Sequence, residues 1–567
     1  MGQYGVVPSE WKLASVTAVY KGKCGTDSVT NYRPISVTNC FGKILEKIIF
    51  KHLHNYLHKY RIITDNQSGF RYKDSTVNQL IIIYDTNMNS LDSGKDVRFV
   101  FCDVSKAFDR VWHQGLIYKL QKYGVKGKLL NWFESYLSDR KQRVCMNGYT
   151  SNWKSIKAGV PQGSILGPYL FLLFVNDIVD VVSNNIKLFA DDTSLYCIVD
   201  NQESAAESLN ADLENIGQWA QHLGVEFNAS KTKSVLFSRK RDVPIPELFM
   251  NNVPLETTTT HKHLGLIFKS DGIWKDHINH IYTKACQRLN ILRLLKNSLD
   301  RTSLEKIYIA FIRPILEYGN TVWDNCSKEE SDAIESVQYE AARIVTGMRK
   351  GTSRSKLYHE LGWDTLFNRR KKQKLILIFR ALHGDLPNYI VDHVTSFMNP
   401  ESNYSLRNYR VFTPPLSRTQ SYKKSCFPDA IDMWNKLDLE TQCSSSLSSF
   451  KKKLNADLAS PPPFYSLGTR KYNILYCQLR NEVSNLKRHL FRSNFDSPRC
   501  DCGDPVEDNF HFLYVCPLYM RQRVKLFYDL RKYIGSLNTD VLLKGSSNLS
   551  VDENFEISFI RLLRGYR

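Results

Sequence analysis

At 567 residues, with 42% hydrophobic and 12% aromatic side chains, the chain can form several domains and bury their cores, which excludes a disordered or fibrous protein. Lys and Arg exceed Asp and Glu by 77 to 57, a net charge of +20. That surplus points to a polyanionic partner, nucleic acid first among them. No apolar run approaches the roughly eighteen residues of a membrane span; the longest, Tyr169 to Val175, ends at Asn176-Asp177. There is no signal-peptide pattern, and Val6 stands where a myristoylation signal needs Ser or Thr. The 13 cysteines lack an extracellular framework, so they are expected to be reduced, in nucleus or cytoplasm.

The first hundred residues read as alternating strands and helices. Trp11 to Lys23 is strand-rich and ends in basic residues. Phe41, Ile44, Leu45, Ile48, Ile49 and Leu53 recur with helical period. A loop from Ser68 separates them from a second helix with Val77, Leu80, Ile81 and Tyr84. FVFCD, Phe99 to Asp103, reads as a buried strand stopped by an acid, and a helix is expected from Ala107 through Val111 and Leu116 to Tyr123. Asn147-Gly148 signals a hairpin turn. The Gly/Pro loop AGVPQGSILGP leads to a helix begun by Pro168. Next come the hairpin KLFADDTSLYCIV, a helix from Ser204 to Leu223, and a strand pair from His263.

Beyond about 275 the pattern is helical. Ile278, Ile281, Ala285, Leu289, Leu292 and Leu295 form one stripe, with Lys284, Arg288, Arg293 and Lys296 off it. Ser327 and Glu330 form a capping box, and Gly347 closes that helix. The basic helix RRKKQKLILIFR, 369–380, reads as a solvated face, a nuclear-import patch or a phosphate-contact surface. Ser-rich 443–449 and Pro461-Pro462-Pro463 mark a linker before the last segment.

Asp191 and Asp192 are adjacent like charges at a hairpin tip, and they repel unless something cationic joins them. A solvated turn would account for the pair alone. Asp103, however, also ends an apolar strand. If the two segments pair, two or three carboxylates meet in a hard-oxygen site suited to Mg²⁺. Two such ions are the standard device for in-line phosphoryl displacement, although acid-tipped strands also occur in phosphatases and nucleases.

FCDVSKAFDRV, AGVPQGSILGPYLFLLFVNDI and LFADDTSLY, in that order, resemble motifs A, B and C of a reverse transcriptase. The resemblance is strongest to non-LTR retrotransposons, long interspersed elements of the jockey-like kind. NYRPISV and QSGFRYKDST resemble the fingers blocks, GVEFNASKTKSVLFS motif D, and HLGLIF the primer-grip motif E. The resemblance implies an α+β right-hand polymerase: fingers and palm over 1–270 with an antiparallel palm sheet, and a helical thumb over 271–350. A helical, basic connecting region over 351–460 and a small Cys/His domain over 464–567 would follow.

The resemblance also implies roles. Asp103 and Asp191 would be Mg²⁺ ligands with the Val104 carbonyl, and Asp192 a supporting acid. Phe108 would be the steric gate that selects dNTPs. Gln162 and Gly163 would line the nucleotide pocket. Lys21 and Arg33, with Arg71 as a companion, would bind the triphosphate. Lys231 would protonate the pyrophosphate, with Lys233 close enough to compete for that assignment. The implied partners are an RNA template, a DNA primer or target, and dNTPs, with no membrane. Elements of this kind usually carry an endonuclease, which is not visible here, so a truncated copy is expected. An intron-type maturase, an RNA-templated RNA polymerase and a catalytically inactive, nucleic-acid-binding relic are the rival readings.

Near the C-terminus, Cys500, Cys502, His511 and Cys516 follow the pattern C-x-C-x8-H-x4-C. Three thiolates and an imidazole suffice for a structural Zn²⁺. Reduced buried cysteines beside a core histidine are the alternative.

Overall fold

The computed structural model describes residues 5–22, 25–399, 411–459, 461–462, 465, 469–491, 497–530 and 542–543. It is a mixed helix-and-sheet structure with two compact units, Met1–Trp274 with Arg380–Asn435, and Lys275–Phe379 with Lys436–Arg567. The expected connecting region 351–460 is thus divided, its residues 380–435 packing with the first unit.

The first unit is built around a five-stranded sheet in the order Glu256–Thr257, Lys233–Phe237, Asp96–Cys102, Asp192–Val199, Asn185–Phe189. Asp96–Cys102 is central and buried throughout, and it pairs antiparallel with strands on both sides. One face of this strand presents Val100 and Cys102 to a core that includes the apolar helix Gly167–Val175 and the inner face of helix Gln202–Leu223. The other face carries Phe99 and Phe101, whose rings stack 5.6 Å apart. A second sheet joins Leu13–Tyr20, Tyr32–Val37 and Lys141–Met146. Its hairpin turns at Asn147-Gly148, where both residues have positive φ, as the sequence predicts.

The helix expected from Ala107 is interrupted. Ala107–Asp109 is a single 3₁₀ turn, and the α-helix begins at His113. The carbonyls of Phe108 and Val111 accept the N–H groups of Val160 and Gly159, both at 2.8 Å. Those acceptors tie the segment to the Gly/Pro loop instead of to a helical ladder.

In the second unit, helix Lys275–Leu295 buries Ile278, Ile281, Ala285, Leu289 and Leu292, and leaves Lys284, Arg288 and Arg293 exposed. The capping box at Ser327 and the left-handed Gly347 bound helix Lys328–Thr346. The basic run is not the open cationic surface the sequence suggests. Arg370 pairs with Asp324 at 2.5 Å and Lys374 with the same carboxylate at 2.7 Å. Lys372 reaches Asp364 at 2.5 Å, and Arg369 pairs with Glu317. Helix Leu366–Leu382 therefore turns these cations onto internal acids.

Candidate functional site

The hairpin Asn185–Phe189 and Asp192–Val199 turns at Ala190 and Asp191, with Ala190 at φ +56°. Cys102 pairs with Thr193 across the central strands. Continuing that register sets Asp103 level with Asp192, whereas Asp191 belongs to the turn. Opposed residues on adjacent antiparallel strands lie about 4.5–5.5 Å apart, with side chains on one face. Asp103 and Asp192 thus share the face of Phe101 and Ser194, opposite the helical core.

The three acids are electrostatically coupled. Asp192 reaches solvent on one side, yet its surroundings and then the charges of Asp191 and Asp103 push its carboxyl up to about 6. Asp191 is raised mainly by burial and further by Asp103, while Arg33 opposes the shift. The acidic tip is therefore short of positive charge.

The backbone after Asp103 is held in place. The Asp103 carbonyl accepts the N–H of Asn228 at 2.8 Å, and Ser105 donates to the Glu226 carbonyl at 2.8 Å. These two bonds flank the Val104–Phe227 bridge, so Val104's own carbonyl points away from residues 226–228. Val104 and Asp191 line one small cavity with Phe171 and Ala190.

Lys231 Nζ lies 3.8 Å from Asp103 Oδ2. Phe108 is half-buried, its ring 4.6 Å from that of Phe171 and edge-on to Phe70 at 6.4 Å. Gln162 donates from Nε2 to Asp109 at 2.9 Å, and its carbonyl accepts the N–H of Ser36 at 2.7 Å. Gly163 has φ +131°, and a Cβ there would meet the Ser36 carbonyl at 2.4 Å, so only glycine fits. This contact ties the Gly/Pro loop to strand Tyr32–Val37, which carries Arg33. Arg33 pairs with Val19. Lys21 donates its N–H to Asn31 at 2.8 Å, so alternation puts Lys21 and Arg33 on one ribbon face. Arg71 stands apart. Its guanidinium bonds the carbonyl of Thr64 at 2.8 Å and Asp65 at 3.2 Å, within its own loop.

Gln67 carries no signal in the sequence beyond its place in QSGF. Its Oε1 accepts the N–H groups of Ala190 at 2.9 Å and Gly69 at 2.8 Å. Ser68 donates to the Leu188 carbonyl at 2.9 Å, and Leu188 to Asn66 at 2.8 Å. A Cβ on Gly69 would lie 2.4 Å from the Ala190 nitrogen. The acidic turn is thus braced from behind by residues 66–69.

In the second unit, one ligand atom from each of Cys500, Cys502, His511 and Cys516 lies within 4.8 Å of the others, a possible metal site. Cys500 Sγ is 3.6 Å from Cys516 Sγ, and Cys502 Sγ is 3.2 Å from His511 Nε2. His511 Nδ1 lies 3.3 Å from Asp504 Oδ2, a contact that orients the ring.

Residues 21–268 match the family model described as reverse transcriptase (RNA-dependent DNA polymerase). The match marks these residues as a reverse transcriptase domain. The chain is 29% identical over 377 residues to a probable RNA-directed DNA polymerase from transposon BS of Drosophila melanogaster, covering 63% of this chain and 41% of that protein. It is 31% identical over 355 residues to the RNA-directed DNA polymerase from mobile element jockey of Drosophila melanogaster, covering 60% of this chain and 38% of that protein. The chain thus spans about two fifths of the length of these relatives. Among solved structures it is similar to apo telomerase from Candida Tropicalis, at 11% identity and a TM-score of 0.37, over 60% of this chain and 59% of that one. Among the described residues, no helix is long and apolar enough to cross a membrane.

Proposed function

We propose that this chain is an RNA-directed DNA polymerase of a non-LTR retrotransposon, extending a DNA primer on an RNA template with dNTPs. The observation that carries this reading is the coupling of Asp103, Asp191 and Asp192 at the end of one central sheet. In this reading, residues 1–270 are fingers and palm, 271–350 the thumb and 464–567 a Cys/His domain, while the connecting region 351–460 lends part of its length, Arg380–Asn435, to the first unit.

The close carboxyls of Asp191 and Asp192, both raised by burial and by neighbouring acids, with Asp103 beside them, fit divalent cations. Asp103, Asp191 and the Val104 carbonyl would hold two Mg²⁺, with Asp192 in support. Bound there, the ions would lower the pKa of the primer hydroxyl and stabilise the pyrophosphate. The chain's own groups do the rest. Arg33 and Lys21, from one ribbon face, hold the triphosphate, with Arg71 as a companion from the separate loop that follows Thr64; Gln162 and Gly163 border the nucleotide. The Phe108 ring, backed by Phe171, would leave no room for a 2′-hydroxyl. Lys231 hands a proton to the departing pyrophosphate. The Cys/His cluster suits a structural Zn²⁺, its three sulfurs and one nitrogen being a typical donor set.

The test is primer extension on poly(rA)–oligo(dT) with dTTP and Mg²⁺. Extension that vanishes in the double variant Asp191→Ala with Asp192→Ala supports the reading. Folded protein that binds the duplex but never extends it leaves a nucleic-acid-binding relic instead.

A further inference from the structure

Residues 380–399 and 411–435 pack with the first unit, against helix Thr76–Asp92 and the loop before it. Three acids along that stretch each hold one point of the returning segment. Asp92 accepts the N–H groups of Arg418 at 2.8 Å and Thr419 at 2.7 Å. Asp85 Oδ2 lies 3.0 Å from His393 Nε2. Asp74 Oδ1 accepts the Tyr389 hydroxyl at 2.7 Å. The third contact has a reach the other two lack. Tyr389 Oη also lies 3.3 Å from Ser68 Oγ, and the Lys187 ammonium sits 5.4 Å from the Tyr389 ring centre.

Ser68 belongs to the brace behind the acidic turn, and Lys187 to the strand that leads into it. Lys187 also donates to Asn66 Oδ1 at 3.0 Å, closing the loop of contacts. We infer that Tyr389, 321 residues from Ser68 in sequence, is a positioning residue that locks the 66–69 brace against the Asp191-Asp192 turn. The segment 380–435 is thereby a working part of the polymerase unit. Any slip of the brace would move Ala190, whose N–H is held by Gln67 and whose nitrogen lies so close to Gly69 that no side chain fits there. Asp191 and Asp192 follow Ala190 directly, so their spacing from Asp103 depends on this lock. The catalytic part of the inference rests on the polymerase reading above; the structural part does not.

The experiment compares the full chain with Tyr389→Phe, which removes only the hydroxyl, and with Ser68→Ala. Hydrogen exchange is followed by mass spectrometry in a peptide spanning 187–193. Loss of the Ser68–Tyr389 hydrogen bond, which both variants share, should raise exchange there about fivefold, with exchange around Asp92 and Thr419 unchanged. In primer extension both variants should lose kcat by a similar factor while the KM for dTTP and the duplex Kd stay within about twofold. Unchanged exchange in the hairpin peptide overturns the inference. A rise spread over the whole unit also overturns it, because Tyr389 would then be a general structural residue. If the parent chain extends no primer, the polymerase reading fails, and the exchange data alone still decide whether Tyr389 locks the turn.

Discussion

Lys231 Nζ stands 3.8 Å from Oδ2 of Asp103, while Lys233, two residues on, pairs with Glu256 and donates to the Ser230 carbonyl at 3.1 Å. Sequence leaves the two lysines interchangeable; geometry separates them. Lys231→Ala should lower kcat for dTTP addition by roughly 10²-fold, the usual scale for a general acid. Lys233→Ala should change it by less than about threefold. Single-turnover extension by both variants checks this. Equal losses would contradict the assignment of Lys231.

Phe108 is half-buried, and its ring rests on that of Phe171. Replacing it with Val keeps an apolar contact and opens space at the ring's outer end. Phe108→Val should raise rNTP use relative to dNTP use by at least about tenfold, equivalent to roughly 1.4 kcal/mol of lost discrimination. The ratio of kcat/KM for UTP and dTTP is the measurement. An unchanged ratio would leave Phe108 as a packing residue only.

The raised acids make a signed prediction about pH. Asp192, at about 6 in the folded protein, binds more protons than it does unfolded between about pH 4 and pH 6. Metal-free protein should therefore lose stability as pH rises through that window. Asp192→Asn removes the repulsion and should stabilise metal-free protein at pH 7 by about 1 kcal/mol, a modest value because solvent screens the side chain. Below about pH 4 the advantage should vanish. With excess Mg²⁺ at pH 7 the order should reverse. Urea unfolding at the three conditions tests each sign.

Asp324 holds two buried cations, Arg370 and Lys374. Asp324→Asn leaves both with a neutral partner. Breaking a buried ion pair from one side typically costs about 3–5 kcal/mol, so the second unit should unfold at clearly lower urea. If stability is unchanged, the interior pairing of the basic run is not as the geometry has it.

How much of this was legible in the sequence depends on the distance over which each contact acts. The strand ending in Asp103 and the hairpin tip Asp191-Asp192 were readable, because each is a short apolar run stopped by acid. The capping box at Ser327 and the turn at Asn147-Gly148 are local for the same reason. The interruption after Ala107 was not readable, since its cause is a pair of carbonyls bonded to Gly159 and Val160, about fifty residues on. The basic run misled because its acids, Glu317, Asp324 and Asp364, lie outside it. Tyr389 carries no local signal at all. Its partners Ser68 and Asp74 lie more than three hundred residues away.

On the proposed reading, Asp103, Asp191 and the Val104 carbonyl hold two divalent ions, with Asp192 in support. Electron paramagnetic resonance with Mn²⁺ tests it most directly, on the full chain bound to an RNA–DNA duplex with a dideoxy-terminated primer and the matching dNTP. A two-metal site predicts a pair of spin-coupled ions per chain, and loss of that coupled signal in Asp103→Asn. A parent chain that binds the duplex without the coupled pair, or an Asp103→Asn variant that retains it, would contradict the account.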